Sequence, residues 1–186
     1  MKQKIFISIF LSINFFSFSQ KQNINITTID GIIFNVKKYS SKTEYLKLIF
    51  ENGSSKELPY NLLGKIEYED KYKKETKKIT EHFVRISNRN GALMELVSEG
   101  KCNFYQDFTA DGNGGTSTGF YVKKNNEKIA TQIGHNSFAN FTNYKKITLK
   151  YFNDCPNIIE NIEKKYNRKK VKILKEIIAF YNNNCL

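Results

Sequence analysis

The chain has 186 residues and a formal net charge of +12 at pH 7, and 40% of its residues are hydrophobic. This length suits one domain, or a small domain with an appendage, and is enough to bury a hydrophobic core. Only two histidines are present, far apart, and the sequence has no phosphate loop, dinucleotide fingerprint or nucleophile elbow, which excludes the common zinc-hydrolase, nucleotide-binding and α/β-hydrolase motifs.

Residues 1–19 have the three parts of an export signal in the right order. Lys2 and Lys4 give a positive start, residues 5–18 are rich in Ile, Leu and Phe, and Ser17 and Ser19 place small residues at the two positions that a signal peptidase reads. We therefore expect cleavage before Gln20. The alternative, a membrane anchor, is disfavoured because this apolar stretch is shorter than the roughly 20 residues that span a bilayer. The prediction is a soluble exported protein, periplasmic or secreted from a Gram-negative cell, with no transmembrane segment after cleavage. Cleavage removes two lysines and no acids from the +12, leaving +10.

The first part of the mature chain alternates between apolar and polar residues, as antiparallel strands do. Residues 24–29 and 32–38 flank an Asp-Gly pair, which readily adopts the positive φ angles of a tight hairpin turn. A second hairpin is predicted around the Asn-Gly pair at residues 52–53. We therefore expect a compact β-meander over residues 20–70.

A charged stretch interrupts this alternation. Residues 69–78 carry mixed charges and few apolar groups, which favours a solvated loop or a short helix, and residues 71–80 are predicted as a charged connector. Residues 81–186 are predicted to hold further hairpins and C-terminal helices, either as a separate unit or as one domain with residues 20–70. The strands predicted in this second part of the chain are 83–86, 92–97, 102–108, 120–123 and 128–133.

A glycine-rich segment at residues 107–119 partly matches a calcium-binding loop. Asp107, Thr109, Asp111 and Gly112 occupy positions 1, 3, 5 and 6 of such a loop. Position 12, which should be a bidentate Glu, is Thr118. The sequence therefore favours a hairpin loop, and no metal or cofactor is predicted.

The last third changes to helical periodicity. A first helix is predicted within residues 141–152, and a second begins near Pro156 with Asp154 as its N-cap. A third is predicted over residues 171–181, antiparallel to the second. The predicted fold class is thus α+β: an antiparallel β-meander and hairpins followed by a C-terminal helical hairpin packed on the sheet.

The helical hairpin places two cysteines close together. Cys155 precedes the second helix and Cys185 follows the third, and antiparallel helices bring those ends into contact range. We predict a disulfide between them, which an exported location favours, with two free thiols as the alternative. Cys102 is predicted to be a buried small hydrophobe, not a nucleophile.

The opposite end of the same hairpin is strongly basic. This basic tip, as we call it, has one functional interpretation, a site for phosphates or an acidic partner, and one structural interpretation, a solvated turn. No recognised module and no interleaved aromatics accompany the cations, so specific nucleic-acid binding is not predicted. The tip residues are Lys164, Lys165, Arg168, Lys169 and Lys170.

Several segments resemble a group of uncharacterised exported proteins of flavobacteria and their relatives. The resemblance spans residues 83–185, and its most specific parts are the Asp-Cys-Pro run at 154–156 and the Tyr-Asn pair at 181–182 followed by Cys185. The other segments are Gly100, 104–105, 120–122, 151–153 and 179–180. The resemblance implies export and a cysteine pair, and it adds no catalytic residue.

Three functional hypotheses follow from the sequence. The first is a non-catalytic envelope or secreted module that binds an envelope or extracellular protein. The second is a peripheral protein that binds anionic membrane or polysaccharide through the basic tip. The third, ranked below them, is a hydrolase that uses His135, whose neighbour Ser137 is two residues away and carries no triad geometry. No catalytic residue is therefore predicted.

Overall fold

The computed structural model describes residues 20–72, 75–110, 116–136 and 143–185, so the predicted export signal lies outside the described residues. In this part of the chain, eleven strands form two antiparallel sheets and three helices follow, which confirms the α+β class. The strands are β1 Gln20–Thr28, β2 Ile33–Val36, β3 Lys38–Ser41, β4 Tyr45–Ile49, β5 Ser55–Pro59, β6 Leu63–Tyr72, β7 Glu75–Arg85, β8 Gly91–Ser98, β9 Cys102–Ala110, β10 Thr116–Lys124 and β11 Thr131–His135. The helices are α1 Tyr144–Tyr151, α2 Pro156–Lys165 and α3 Val171–Asn184.

Both predicted N-terminal hairpins are present. β1 pairs with β2 and β4 pairs with β5, each in antiparallel register. The glycines of the two turns, Gly31 and Gly53, have φ angles of 88° and 81°. A side chain at either position would be strained, which is why these two turns were recognisable in the sequence.

The predicted β-meander over residues 20–70 is divided between two sheets. The large sheet has the order β11-β10-β9-β8-β7-β6-β1-β2, while β3, β4 and β5 form a separate three-stranded sheet. The small sheet packs on the large one through a shared core that includes Leu46, Leu48, Ile26 and Ile66. Gly64 lets β6 return beside β1, because a Cβ there would lie 2.9 Å from the carbonyl oxygen of Thr28.

The predicted loop or short helix at residues 69–78 is wrong, since its described residues belong to two paired strands. Residues of opposite charge face each other across β6 and β7, with Glu69 opposite Lys78 and Asp70 opposite Lys77. Cross-strand pairs of this kind stabilise a solvated ribbon without apolar residues. The described residues of the predicted connector therefore belong to the large sheet.

The three helices cover one face of the large sheet around β8, β9 and β11. Their apolar side chains, including Phe152, Ile162 and Leu174, form one core with Phe104 and Phe120 of the sheet. The described part of the predicted first helix is confirmed, as is the antiparallel pair α2 and α3. None of the helices in the described residues is long and apolar enough to cross a bilayer.

Cys155 and Cys185 lie at disulfide-bonding distance, with Cα atoms 5.6 Å apart, as predicted. Their pairing joins the start of α2 to the end of α3 and closes a segment with a sequence separation of 30. Cys102 is free and fully buried, in agreement with the prediction. The disulfide therefore fixes one end of the helical hairpin, and the basic tip lies at the other end.

Replacing both cysteines, as Cys155→Ser with Cys185→Ser, should lower the free energy of unfolding by on the order of 3 kcal/mol, because the unfolded chain is no longer closed. Denaturant unfolding measures this difference, with Cys102→Ala as a control that leaves the pair intact. Thiol titration of the unfolded, unreduced wild type should count one thiol. A count of three would contradict the pairing.

Candidate functional site

The connection between β10 and β11 closes over the end of β7. The backbone amide of Ala130 donates a hydrogen bond of 2.8 Å to the carbonyl of Arg85. Beneath it, Ala130 packs with Val84, Met94 and Tyr105 in a third cluster of buried side chains. Val84 follows Phe83, which faces the small sheet, so this cluster lies on the opposite face of the large sheet. The large sheet is therefore curled, with residues of β10 brought near β7.

The curl forms a concave pocket of about 490 Å³, which we call the Arg85 pocket. One wall is aromatic, since the rings of Tyr60 and Phe83 stack with centroids 4.1 Å apart and an interplanar angle of 8°. The side chains of Asn61 and Asn88 also line the pocket and offer amide donors and acceptors. Aromatic rings and neutral polar groups thus occupy one part of the lining.

The charged part of the lining is entirely basic. Arg85 comes from β7, Lys123 from β10 and Lys128 from the β10–β11 connection. Arg85 and Lys128 are exposed, and Lys123 is half-buried. Because no acidic residue lines the pocket, these three side chains give it a local charge of +3.

The three cations of the pocket have no acidic partner among the residues that the structure describes. Within the described ranges, no carboxylate lies at ion-pair distance from Arg85, Lys123 or Lys128. By contrast, the Nζ atom of Lys124 lies 2.9 Å from Asp154, and Lys21 and Lys77 also have acidic partners. Repulsion between the three cations is thus left for solvent or a ligand to offset.

The acidic residue nearest in sequence to Lys128 is directed elsewhere. The carboxylate of Glu127 accepts a 3.0 Å hydrogen bond from the amide of Lys124 and another from the hydroxyl of Tyr151. These bonds fix the turn after β10, and they keep the carboxylate off the Arg85 pocket. The pocket therefore keeps its positive charge although an acid adjoins Lys128.

A second polar cluster lies beside the disulfide and contains several residues of the resemblance described above. Asp154 accepts hydrogen bonds from Lys124 at 2.9 Å and from the Tyr181 hydroxyl at 2.7 Å. Burial alone would raise the pKa of Asp154, but these hydrogen bonds lower it below its ordinary value. The predicted N-cap role of Asp154 is wrong, since Cys155 occupies that position without a side-chain cap. The aspartate instead ties α2 and α3 to β10.

Close to this cluster, the backbone of Cys102 is tied to the side chain of Asn182 in α3. Its backbone amide donates to the side-chain oxygen of Asn182 at 2.8 Å, and its carbonyl accepts from the Asn182 amide at 3.0 Å. Gly100 lies directly against Asn182, where a Cβ would come within 2.4 Å of the amide nitrogen. Burial raises the pKa of the Cys102 thiol to about 12. The thiol is therefore protonated at neutral pH, as a structural cysteine should be.

The basic tip is docked on the sheet edge. The backbone amide of His135, at the end of strand β11, donates to the carbonyl of Arg168 at 3.1 Å. The hydroxyl of Tyr166 donates to the carbonyl of Ile133 in the same strand. The tip therefore supplies hydrogen-bond partners to the backbone of the edge strand β11, which gives residues 166–168 a structural role.

The cations of the tip are dispersed among different surroundings. Lys164 forms an ion pair with Glu160 one turn earlier in α2. Lys165 and Lys170 are exposed, whereas Arg168 and Lys169 are half-buried. The five predicted anion-binding residues therefore differ in exposure and pairing, although they are close in the chain. None of them lines the Arg85 pocket.

The two histidines lie in different surroundings. His82 is half-buried with its ring 6.2 Å from that of Tyr105, and burial lowers its pKa. Burial raises the pKa of Asp107, while the charge of nearby His135 acts in the opposite direction. Ser137 lies outside the described residues, as do residues 111–115 of the glycine-rich segment. β9 and β10 are paired as far as Ala110 and Thr116, the residues that flank 111–115, which fits the predicted hairpin.

Comparison of the chain with protein-family models, curated proteins and solved structures found no match. The resemblance to exported flavobacterial proteins stays a hypothesis. The Arg85 pocket was not predicted, since its cations come from strands that are far apart in the sequence and carry no motif. The nearest sequence signal is the run Phe-Val-Arg at residues 83–85, which is typical of any strand end.

The raised thiol pKa makes the stability of the fold depend on pH. The ordinary thiol pKa is 9.0, and the folded value is about 12, so the folded state holds the proton more tightly. The stabilisation is complete below about pH 9 and is lost as the pH rises toward 12. Over that range, the wild type should lose unfolding free energy faster than Cys102→Ala, by at most about 1.4 kcal/mol per pH unit. Parallel pH profiles in denaturant unfolding would refute this.

Proposed function

We propose that this protein is an exported, non-catalytic binding module that takes an anionic ligand in the Arg85 pocket. The observation that carries the proposal is the convergence of Arg85, Lys123 and Lys128, none with a carboxylate at ion-pair distance in the described ranges, on one concave site. An anion that binds there offsets the mutual repulsion of the three cations. Arg85 supplies a planar fork suited to phosphate or carboxylate, and the two lysines supply point charges.

The proposal of export is supported by the sequence of residues 1–19 and by the Cys155–Cys185 pair, since disulfides persist in oxidising compartments. The basic net charge of the chain also favours the approach of anionic ligands through long-range attraction. A rigid wall of stacked rings gives the pocket a preformed shape. The ligand is thus expected to bind without large rearrangement of the pocket.

Anion binding at the basic tip is the second candidate, favoured by the exposure of Lys165 and Lys170. Its dispersed cations and the ion pair of Lys164 make it weaker than the Arg85 pocket. A protein partner and hydrolysis through His135 stay predictions of the sequence.

Inorganic pyrophosphate is a suitable compact probe for the proposal. Calorimetric titration of the wild type should detect a single site whose affinity falls as salt is raised, because the cations are partly exposed. The triple variant Arg85→Gln, Lys123→Gln, Lys128→Gln should bind at least about tenfold more weakly, a change of about 1.4 kcal/mol.

The matched control carries the same loss of charge at the basic tip, as Lys164→Gln, Lys165→Gln and Lys170→Gln. It should keep its affinity for pyrophosphate within about twofold. If the two triple variants lose affinity equally, binding reflects net charge and not the Arg85 pocket. If the tip variant alone loses affinity, the second candidate is the correct one.

A further inference from the structure

An exposed aliphatic patch lies at the turn between β1 and β2. Ile29, Ile32 and Ile33 are 66%, 52% and 62% exposed, and Leu62 beside them is 44% exposed. We call these four residues the aliphatic rim. Backbone hydrogen bonds hold it together, since the amide of Ile29 donates to the carbonyl of Leu62 at 3.0 Å. Clustered exposed aliphatic side chains of this kind mark protein–protein or membrane interaction sites.

The aliphatic rim adjoins the Arg85 pocket. A single 3-10 turn, Tyr60–Leu62, carries two residues that line the pocket and one residue of the rim. A further exposed aliphatic residue, Ile86, directly follows Arg85. Of the seven exposed large hydrophobics in the described residues, five are these, and only Phe108 and Val171 lie elsewhere. Exposed apolar groups are therefore concentrated beside the basic pocket.

A basic pocket with an aliphatic margin matches a ligand that carries an anion next to hydrocarbon. We propose that the Arg85 pocket binds the phosphate of an anionic lipid at a membrane surface, while the aliphatic rim enters the boundary between headgroups and acyl chains. This inference rests on the proposed function, because it names the class of anion that the pocket takes. Charge complementarity selects anionic lipid: no acidic residue lines the pocket, and the chain as a whole is strongly basic.

The geometry of the β1–β2 turn suits shallow insertion. The turn is tight, with Gly31 at a φ of 88°, and the carboxylate of Asp30 accepts a hydrogen bond from the hydroxyl of Thr28. The amide of Thr28 in turn donates to the carbonyl of Ile32 at 2.9 Å. These bonds pair the hydroxyl and amide of Thr28 and the carbonyl of Ile32 within the turn. Neither weak hydrophobic insertion nor charge alone anchors a protein firmly, but the two together do.

Vesicle sedimentation tests the inference directly. The wild type should bind vesicles of equal parts phosphatidylglycerol and phosphatidylcholine at least about tenfold more tightly than pure phosphatidylcholine vesicles. A rim variant, Ile29→Ser with Ile32→Ser and Leu62→Ser, should lose about tenfold in vesicle affinity while it keeps its affinity for pyrophosphate. The matched control is Phe108→Ser with Val171→Ser, which should bind both as the wild type does.

The outcomes separate this inference from the proposed function. Suppose that the rim variant keeps full vesicle affinity while the triple variant of Arg85, Lys123 and Lys128 loses its affinity for pyrophosphate. The lipid inference is then overturned, and the proposed function stands. If the same triple variant keeps its pyrophosphate affinity, the proposed function fails, and lipid binding at this pocket fails with it.

A spectroscopic measurement keeps the test informative if the rim variant does not fold. The sequence contains no tryptophan, so Ile32→Trp introduces a single tryptophan at the rim and Phe108→Trp introduces one elsewhere, each excited selectively over the eleven tyrosines. Anionic vesicles should shift the emission of Ile32→Trp to the blue and leave that of Phe108→Trp unchanged. An unshifted Ile32→Trp spectrum, with the protein bound to vesicles, would overturn the inference.

Discussion

The hydrogen bond from the Ala130 amide to the Arg85 carbonyl is the contact on which the Arg85 pocket depends. In the large sheet, β7 and β10 are separated by β8 and β9. Neighbouring strands lie about 4.8 Å apart, so in a flat sheet the two would be roughly 14 Å from each other. The curl, held by this bond and by the buried cluster around Met94, brings Lys123 and Lys128 to Arg85. Three like charges are thus kept close by packing that does not involve their own side chains.

The two edge strands of the large sheet, β11 and β2, have different surroundings. At β11 the hairpin between α2 and α3 supplies a carbonyl and a tyrosine hydroxyl to the edge, and the disulfide fixes the other end of that hairpin. At the opposite edge lies β2, which begins within the aliphatic rim. Uncovered apolar edges are a hazard for soluble proteins. The membrane contact that we propose would cover the exposed side chains at this edge.

Local signals in the sequence predicted much of the fold. The Asp-Gly and Asn-Gly pairs fixed two turns, since both glycines need positive φ, and helical periodicity placed Cys155 and Cys185 at adjoining helix ends. The paired strands at residues 69–78 were missed because their stability comes from opposite charges across the ribbon, and a single strand does not reveal its partner. The return of β6 beside β1 was missed for the same reason.

The site was harder to predict than the fold. A sequence indicates an anion-binding site only when its cations are close in the chain, as in the basic tip. In the structure, however, the tip is anchored on β11 and its cations differ in exposure. The cations of the Arg85 pocket are separated by two strands and become neighbours only through the curl. Likewise, aspartate is a common helix N-cap, but the carboxylate of Asp154 instead accepts a hydrogen bond from Lys124 of a distant strand. Long-range partners of this kind leave no local pattern.

Backbone amide chemical shifts, mapped while pyrophosphate is added to isotope-labelled protein, show directly where the anion binds. Binding in the Arg85 pocket should cause the largest changes at residues 60–62, at Arg85 and along residues 123–130, with small changes at residues 164–170. Changes that are largest at residues 164–170, or that spread evenly over the surface lysines, would contradict binding in the Arg85 pocket.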